Sequence, residues 1–176
     1  MNSPLTYGTY HPELISRRGE AIAWTAVLLV AAGWVILRLY GQPVPFVLPL
    51  LGVPLLLAAL GISLGNWMDR HTALRLEPGG LVYQNGLRRV RLKWEEIQRV
   101  RVLPAPWGKK VQVFGRQAYF AFNTLGEVKV QGRTMGWVGF SAGDQILEQI
   151  LSSADLHPVQ SSESSGVGEI YNYARD

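Results

Sequence analysis

No cysteine occurs among the 176 residues, which excludes disulfides, thiolate nucleophiles and cysteine metal sites. Histidine is nearly as scarce. His11, His71 and His157 are scattered, with no second ligand at metal-binding spacing. Catalytic motifs are missing too. No Ser, Thr or Lys stands in a recognisable nucleophile motif. Glu95 and Glu96 are adjacent, so on a strand they point to opposite faces, and they read as a solvated turn. Gly132-Arg133-Thr134-Met135-Gly136 lacks any P-loop pattern. These absences argue against an enzyme, a metal and a cofactor.

The most informative absence is of charge. After Arg38 no charged residue appears until Asp69. Ala21 to Leu37 is uncharged as well. A hydrocarbon layer roughly 30 Å thick is spanned by about 20 apolar residues in a helix. The first stretch meets this length if Arg38 snorkels to the interface, and the second, Val44 to Trp67, meets it outright. Only Leu39-Tyr40-Gly41-Gln42-Pro43 separates them, so a tight antiparallel hairpin is expected. Neither segment has the polar face of a soluble amphipathic helix. A signal peptide would have a shorter apolar region and a cleavage site, not a second apolar run.

The turn carries no Lys or Arg, whereas Arg17 and Arg18 precede the hairpin and Arg70, Arg75 and Arg88 follow it. This bias predicts that both termini face the cytoplasm of a cell with the hairpin in its inner membrane. Trp24, Trp34, Tyr40 and Trp67 fall where interfacial anchors belong. Pro45, Pro49 and Pro54 predict an irregular first half of the second helix. Ala31, Ala32, Gly33, Ala58, Ala59 and Gly61 would permit close helix approach.

About 85 residues remain for one compact domain. The net charge of +4 conceals an asymmetry. From Arg70 to Arg133 thirteen Lys or Arg face four acids, Glu77, Glu95, Glu96 and Glu127. The same region alternates as strands do. Thr72 to Glu77 is followed by the turn Pro78-Gly79-Gly80, then Leu81 to Gln84 and the hairpin signal Asn85-Gly86, which predicts a type I′ turn. Leu87 to Trp94 sets Val90, Leu92 and Trp94 against Arg89, Arg91 and Lys93. Ile97 to Leu103 sets Val100 and Val102 against Arg99 and Arg101. After a turn at Pro104 to Gly108 come Val111 to Phe114, Ala118 to Phe122, Val128 to Gln131 and Trp137 to Phe140. The period then changes. Ser141 is placed to cap a helix over Ala142 to Ser153, with Ile146, Leu147, Ile150 and Leu151 on one face. Seven or eight strands and one amphipathic helix point to a small antiparallel barrel plugged by the helix.

This order is similar to the pleckstrin-homology (PH) superfold, and specifically to bacterial PH-like domains attached to short transmembrane hairpins. The likeness covers residues 70–155. It is carried by Leu74-Arg75-Leu76-Glu77-Pro78-Gly79-Gly80-Leu81, by Asn85-Gly86, by the closing helix, and above all by Leu92-Lys93-Trp94-Glu95-Glu96-Ile97, which resembles the family's strand-Trp-x-x-Ile run. The resemblance implies that Trp94 and Ile97 are core residues and brings no active site. Arg89 and Arg91 are faintly similar to phosphoinositide-binding motifs of eukaryotic PH domains, but the surrounding loop departs from them.

Arg89, Arg91, Lys93, Arg99 and Arg101 alternate with apolar residues, so they are expected on one outer face of the barrel. From Met68 to Thr72 the tether reaches roughly 14 Å at most, which would hold the barrel against the membrane. Anionic headgroups attract each nearby cation by about 1 kcal/mol. The loop Trp107-Gly108-Lys109-Lys110 is a candidate to dip into the same interface. An ordinary solvated face, or a docking surface for an acidic partner protein, would carry the same pattern. Nucleic acid is not an expected partner of a membrane-tethered domain, despite the basic balance.

The expectation is therefore an α+β membrane protein. It has an N-terminal extension (1–19), a two-helix transmembrane hairpin (20–68), a PH-like antiparallel β-barrel of seven or eight strands capped by a C-terminal helix (70–155), and a flexible tail (156–176) ending in the aromatic cluster Glu169 to Arg175. Its expected role is that of a non-catalytic adaptor, assembly factor or accessory subunit of a membrane complex, with membrane lipids and another membrane protein as partners. The alternatives are a sensor of anionic headgroups and an enzyme without a recognisable motif.

Overall fold

The computed structural model describes residues 7–14, 17–130, 132–159, 164–165 and 168–175. The remaining parts of the expected extension and tail, and Gln131 of an expected strand, lie outside the described residues. The chain divides into two compact units, Ser16–Met68 and the combination of Met1–Ile15 with Asp69–Asp176.

The first unit consists of α1 (Arg18–Leu39) and α2 (Val47–Arg70). Both helices are long and apolar enough to cross a membrane, and at most 6% of either apolar window is buried within the protein. A core helix of a soluble protein would be mostly covered. α1 ends where Gly41 adopts φ 65°. Its N–H donates to the Arg38 carbonyl and that of Gln42 to the Leu37 carbonyl, the reciprocal pair that closes a helix on a left-handed residue. α2 begins three residues later than expected. Pro43 and Pro45 bias the residues before them away from helical geometry, and the first helical turn forms once Leu48 N–H reaches the Pro45 carbonyl. The expected irregular first half is not found, since the helix runs unbroken past Pro54. Proline at position 49 falls in the first turn, where its missing N–H has no helical partner to lose.

Close approach within the hairpin is narrower than the run of small residues implied. Ala59 is fully buried, and a side chain at Gly52 would meet Val30 at 3.4 Å. Gly33 and Gly61 face open space. A polar network that the apolar pattern gave no sign of joins the two helices. The Glu20 carboxylate accepts from Ser63 Oγ and Asn66 Nδ2, each at 2.9 Å, and Ser63 Oγ accepts from Trp24 Nε1 at 2.8 Å. Such bonds hold helices together where apolar contacts alone compete with lipid.

The second unit is α+β. A four-stranded antiparallel sheet runs in the order β1 (Thr9–Tyr10), β2 (Thr72–Glu77), β3 (Gly80–Asn85), β4 (Arg89–Lys93). A five-stranded sheet contains β5 (Ile97–Pro104), β6 (Lys109–Gly115) and β7 (Tyr119–Asn123). β8 (Gly126–Val130) and β9 (Arg133–Val138) pair with each other, and α3 spans Gly143–Ser153. β10 (His157–Val159) belongs to the five-stranded sheet, and β11 (Ser164–Ser165) pairs with β12 (Gly168–Glu169). β13 (Tyr171–Ala174) completes the five-stranded order β10-β13-β5-β6-β7.

Among the described residues a closed barrel is not found. β4 and β5 are consecutive but lie in different sheets, because a 3₁₀ turn at Trp94–Glu96 takes the chain from one to the other. The Glu96 carboxylate accepts the Lys93 N–H at 2.9 Å and stabilises that turn. Both sheets and α3 turn their apolar faces into one core that includes Leu74, Leu81, Trp94, Ile97, Val113 and Ile146. An aromatic chain crosses it. Tyr83 of β3 stacks on Phe120 of β7 at 4.9 Å, and Phe122 meets Phe140 edge-on at 5.7 Å. Burial pushes the Tyr83 phenol above its ordinary range.

Several local expectations are corrected. The type I′ turn on Asn85-Gly86 does not form, since only Gly86 has positive φ, at 78°. Asn85 pairs with Arg88 instead and accepts the Arg88 N–H on its side chain, leaving Gly86 first in a two-residue loop, as in a type II′ turn. That register sets Leu81 opposite Leu92 and leaves Trp94 within reach of the Pro78 carbonyl. Ser141 does not cap α3, whose N-cap is Ala142, although Ile146, Leu147 and Ile150 are buried as their spacing requires.

The chain ends depart most from the sequence reading. In the N-terminal stretch, Thr9 and Tyr10 extend the first sheet, and Glu13 bridges to Gly139. In the tail, β13 pairs with β5 over Tyr171–Ala174. Arg175 then donates to the backbone carbonyls of Glu95, Trp94 and Ala154 at 3.0, 3.2 and 2.7 Å. These partners lie 80, 81 and 21 residues away in sequence, so no local pattern announces them.

Trp94 is 8% exposed and donates its indole N–H to the Pro78 carbonyl at 2.9 Å. Trp94→Ala is expected to cost roughly 3–5 kcal/mol of stability, and Arg175→Ala about 1–2 kcal/mol through lost charge-assisted bonds. Denaturant unfolding of the full chain measures both, and an unchanged midpoint for Trp94→Ala would contradict this account of the turn.

Candidate functional site

The basic residues singled out by alternation do project outward, but not from one face. Arg89, Arg91 and Lys93 stand on β4 of the four-stranded sheet, with Val90 and Leu92 buried between them. Arg99 and Arg101 stand on β5 of the five-stranded sheet. The expected single cationic face is therefore two. The reason is the 3₁₀ turn between these strands, which keeps the inside-outside alternation while changing the sheet.

On the first face, Arg91 is already engaged. Its guanidinium donates to the Glu77 carboxylate at 2.8 Å. This hydrogen bond, helped by the fields of Arg91, Arg75 and Arg89, holds the Glu77 carboxyl below its usual range. Among the described residues no carboxylate pairs with Arg89 or Lys93. Arg75, absent from the sequence-based set, joins them, because β2 alternates with Ala73, Arg75 and Glu77 outward. Its parity with Glu77 was the available signal.

On the second face the cations are interleaved with rings. Arg99 lies 4.9 Å over the Phe114 ring, Phe114 stacks on Tyr119 at 6.0 Å, and Arg88 lies 4.9 Å over Tyr119. The pairing of β5 with β6 and of β6 with β7 brings Arg99, Phe114 and Tyr119 into adjacent register positions. Each such contact contributes about 0.5–1 kcal/mol at an exposed site. Arg88 arrives from the β3–β4 turn, so the sequence offered no means of placing it here. Arg101 is half-buried, and its Nε has no hydrogen-bond partner among the described residues.

Of the expected loop tip Trp107-Gly108-Lys109-Lys110, only Trp107 and Gly108 lie in the connection between β5 and β6, because Lys109 and Lys110 pair with Pro104 and Leu103 as the first residues of β6. Trp107 is 44% exposed. Lys109 reaches Asp144 at the start of α3, at 3.2 Å, while Lys110 is exposed. The aromatic and the outer cation thus remain available, and Lys109 is tied to the domain. Among the described residues no group of three or more His, Asp or Glu is placed to hold a metal ion.

The Glu77–Arg91 pair gives a pH prediction with a definite sign. A carboxyl whose pKa is lowered on folding contributes stability above its unfolded pKa and loses it as pH falls through the folded one. Glu77 is expected to titrate below the ordinary carboxylate range in carbon-13 NMR of the side chain. Arg91→Gln should move that titration upward, and an unmoved midpoint would show the pair to be inert. No protein-family model, curated protein or solved structure matches this chain, so its geometry carries the functional reading.

Proposed function

We propose that this chain is a membrane-anchored, PH-like interaction module, acting without catalysis as an adaptor, assembly factor or accessory subunit of a membrane complex. The observation that carries the reading is covalent. α2 ends at Arg70 and β2 begins at Thr72, so on the C-terminal side of the two apolar helices a single residue, His71, leads into the folded domain. The PH-like assignment is supported by two antiparallel sheets sharing one core, by Trp94 and Ile97 buried at the crossover, and by α3 packed into that core. The outward faces of cations and rings are the kind of surface on which partners bind, since Arg and aromatic side chains carry much of the energy of interfaces.

In this reading the hairpin spans the inner membrane and both termini are cytoplasmic, an orientation supported by the basic residues flanking it. A second reading, recognition of anionic headgroups, is favoured by the exposed Arg89 and Lys93 on β4 and, separately, by the exposed Trp107 and Lys110 at the β5–β6 connection.

Purification of the full chain in mild detergent tests the first reading against the second. A stoichiometric membrane-protein partner is expected. Anionic lipid co-purifying without protein would overturn the adaptor role in favour of the headgroup one. Reporter fusions at Met1 and Asp176 should both give the cytoplasmic signal, and a signal from the opposite side at either end would remove the hairpin topology.

A further inference from the structure

The outer face of the four-stranded sheet is hollow along its middle strand. Thr9, Arg75, Val82 and Arg91 stand in register across the four strands, and Ala73, Gln84 and Arg89 form the neighbouring row. β3 therefore presents a small residue, Val82, where the strands on either side of it present arginines. The result is a cleft of about 260 Å³ lined by Thr9, Ala73, Arg75, Val82, Gln84 and Arg89. Val82 faces outward and lies outside the core cluster, yet it is only 6% exposed. Long side chains on the neighbouring strands cover it with their stems and keep their charged ends at the rim.

We propose that this cleft binds a phosphate monoester. Arg75 and Arg89 close on the phosphoryl group, Gln84 and Thr9 supply further donors, and Val82 and Ala73 form the floor under a short carbon chain. β2 and β4 lie roughly 10 Å apart across β3, a span that two arginines leaning over the middle strand can close. Arg75 donates Nε to Thr9 Oγ1 at 3.1 Å, which orients its fork and leaves the terminal nitrogens and the threonine O–H to donate. A carboxylate matches a single guanidinium, and on this face Glu77 accepts from one terminal nitrogen of Arg91 at 2.8 Å. Two more guanidinium groups, an amide and a hydroxyl exceed what a carboxylate can accept, and they match the two charges and three terminal oxygens of a phosphate monoester. The volume lies below the roughly 300–1,000 Å³ of sites for drug-sized ligands, which selects a small molecule or a headgroup. The field that depresses Glu77 has contributions from Arg75 and Arg89, so both cations act on the same patch of surface.

The site is independent of the adaptor role. Failure to capture a protein partner leaves it standing, and failure of phosphate binding leaves the adaptor reading intact.

The test uses the full chain in phosphatidylcholine nanodiscs, titrated with glycerol 3-phosphate by calorimetry. Saturable binding, one ligand per chain, is expected. Arg75→Gln and Arg89→Gln should each weaken it roughly tenfold, the share of one charge-assisted contact. Glu77→Gln should strengthen it. The double variant Arg75→Gln/Arg89→Gln should abolish it, whereas Arg116→Gln/Arg133→Gln, which removes the same charge from the β6–β7 turn and from β9, should leave affinity unchanged. Nanodiscs containing phosphatidic acid separate the two sources of the phosphoryl group. Competition with glycerol 3-phosphate identifies a lipid headgroup as the resident ligand, and undiminished binding identifies a soluble one. Absence of saturable binding in the neutral discs, or equal loss in the two double variants, would overturn the proposal.

Discussion

The turn at Trp94–Glu96 is the constraint on which the α+β unit depends. Here the chain leaves one sheet and begins the next, so the core closes only if this corner is rigid. Three interactions make it so. The Trp94 ring is buried and its N–H is held by the Pro78 carbonyl. The Glu96 carboxylate takes the Lys93 N–H. Arg175 then gathers the carbonyls of Trp94 and Glu95 together with that of Ala154 at the end of α3. A bulky ring fixes the corner from inside and a guanidinium fixes it from outside. The outer clamp works because Arg presents several donors in a planar fork and can satisfy more than one carbonyl at once.

That corner also distributes the charge. Cations alternate with apolar residues on both sides of it, so the outward parity is kept while the sheet changes. One strand delivers Arg89, Arg91 and Lys93 to a face with a hollow middle, and the next delivers Arg99 to a face layered with aromatic rings. The two surfaces differ in chemistry although their residue types are alike. The first pairs guanidinium with carboxylate and leaves cations over a small apolar floor. The second covers its rings with cations, which limits exposed apolar area and leaves flat charged planes.

The hairpin follows a different physical rule. Its side chains are mostly apolar, and few of them are buried within the protein. Where the two helices need specificity they use Glu20, Ser63, Asn66 and Trp24 in place of a packed seam of small residues. In an apolar surrounding, a hydrogen-bonded network supplies direction that dispersion contacts cannot.

The sequence by itself determined what depends on near neighbours. Run length without charge determined two helices long and apolar enough to cross a membrane, because that capacity depends on length and composition alone. Alternation with period two determined which side chains of β2, β4 and β5 point outward, and helical spacing determined the buried face of α3. The tertiary structure alone decided which strands share a sheet, and with it that the basic residues occupy two faces, that Arg75 and Arg89 flank one cleft, and that Arg88 stacks on Tyr119. It also decided that Thr9–Tyr10 and Tyr171–Ala174 are strands. Those segments are too short to show a period of their own. Their hydrogen bonds go to β2 and β5, residues far away in the chain, and backbone pairing of that kind leaves no mark on the identity of the side chains it joins.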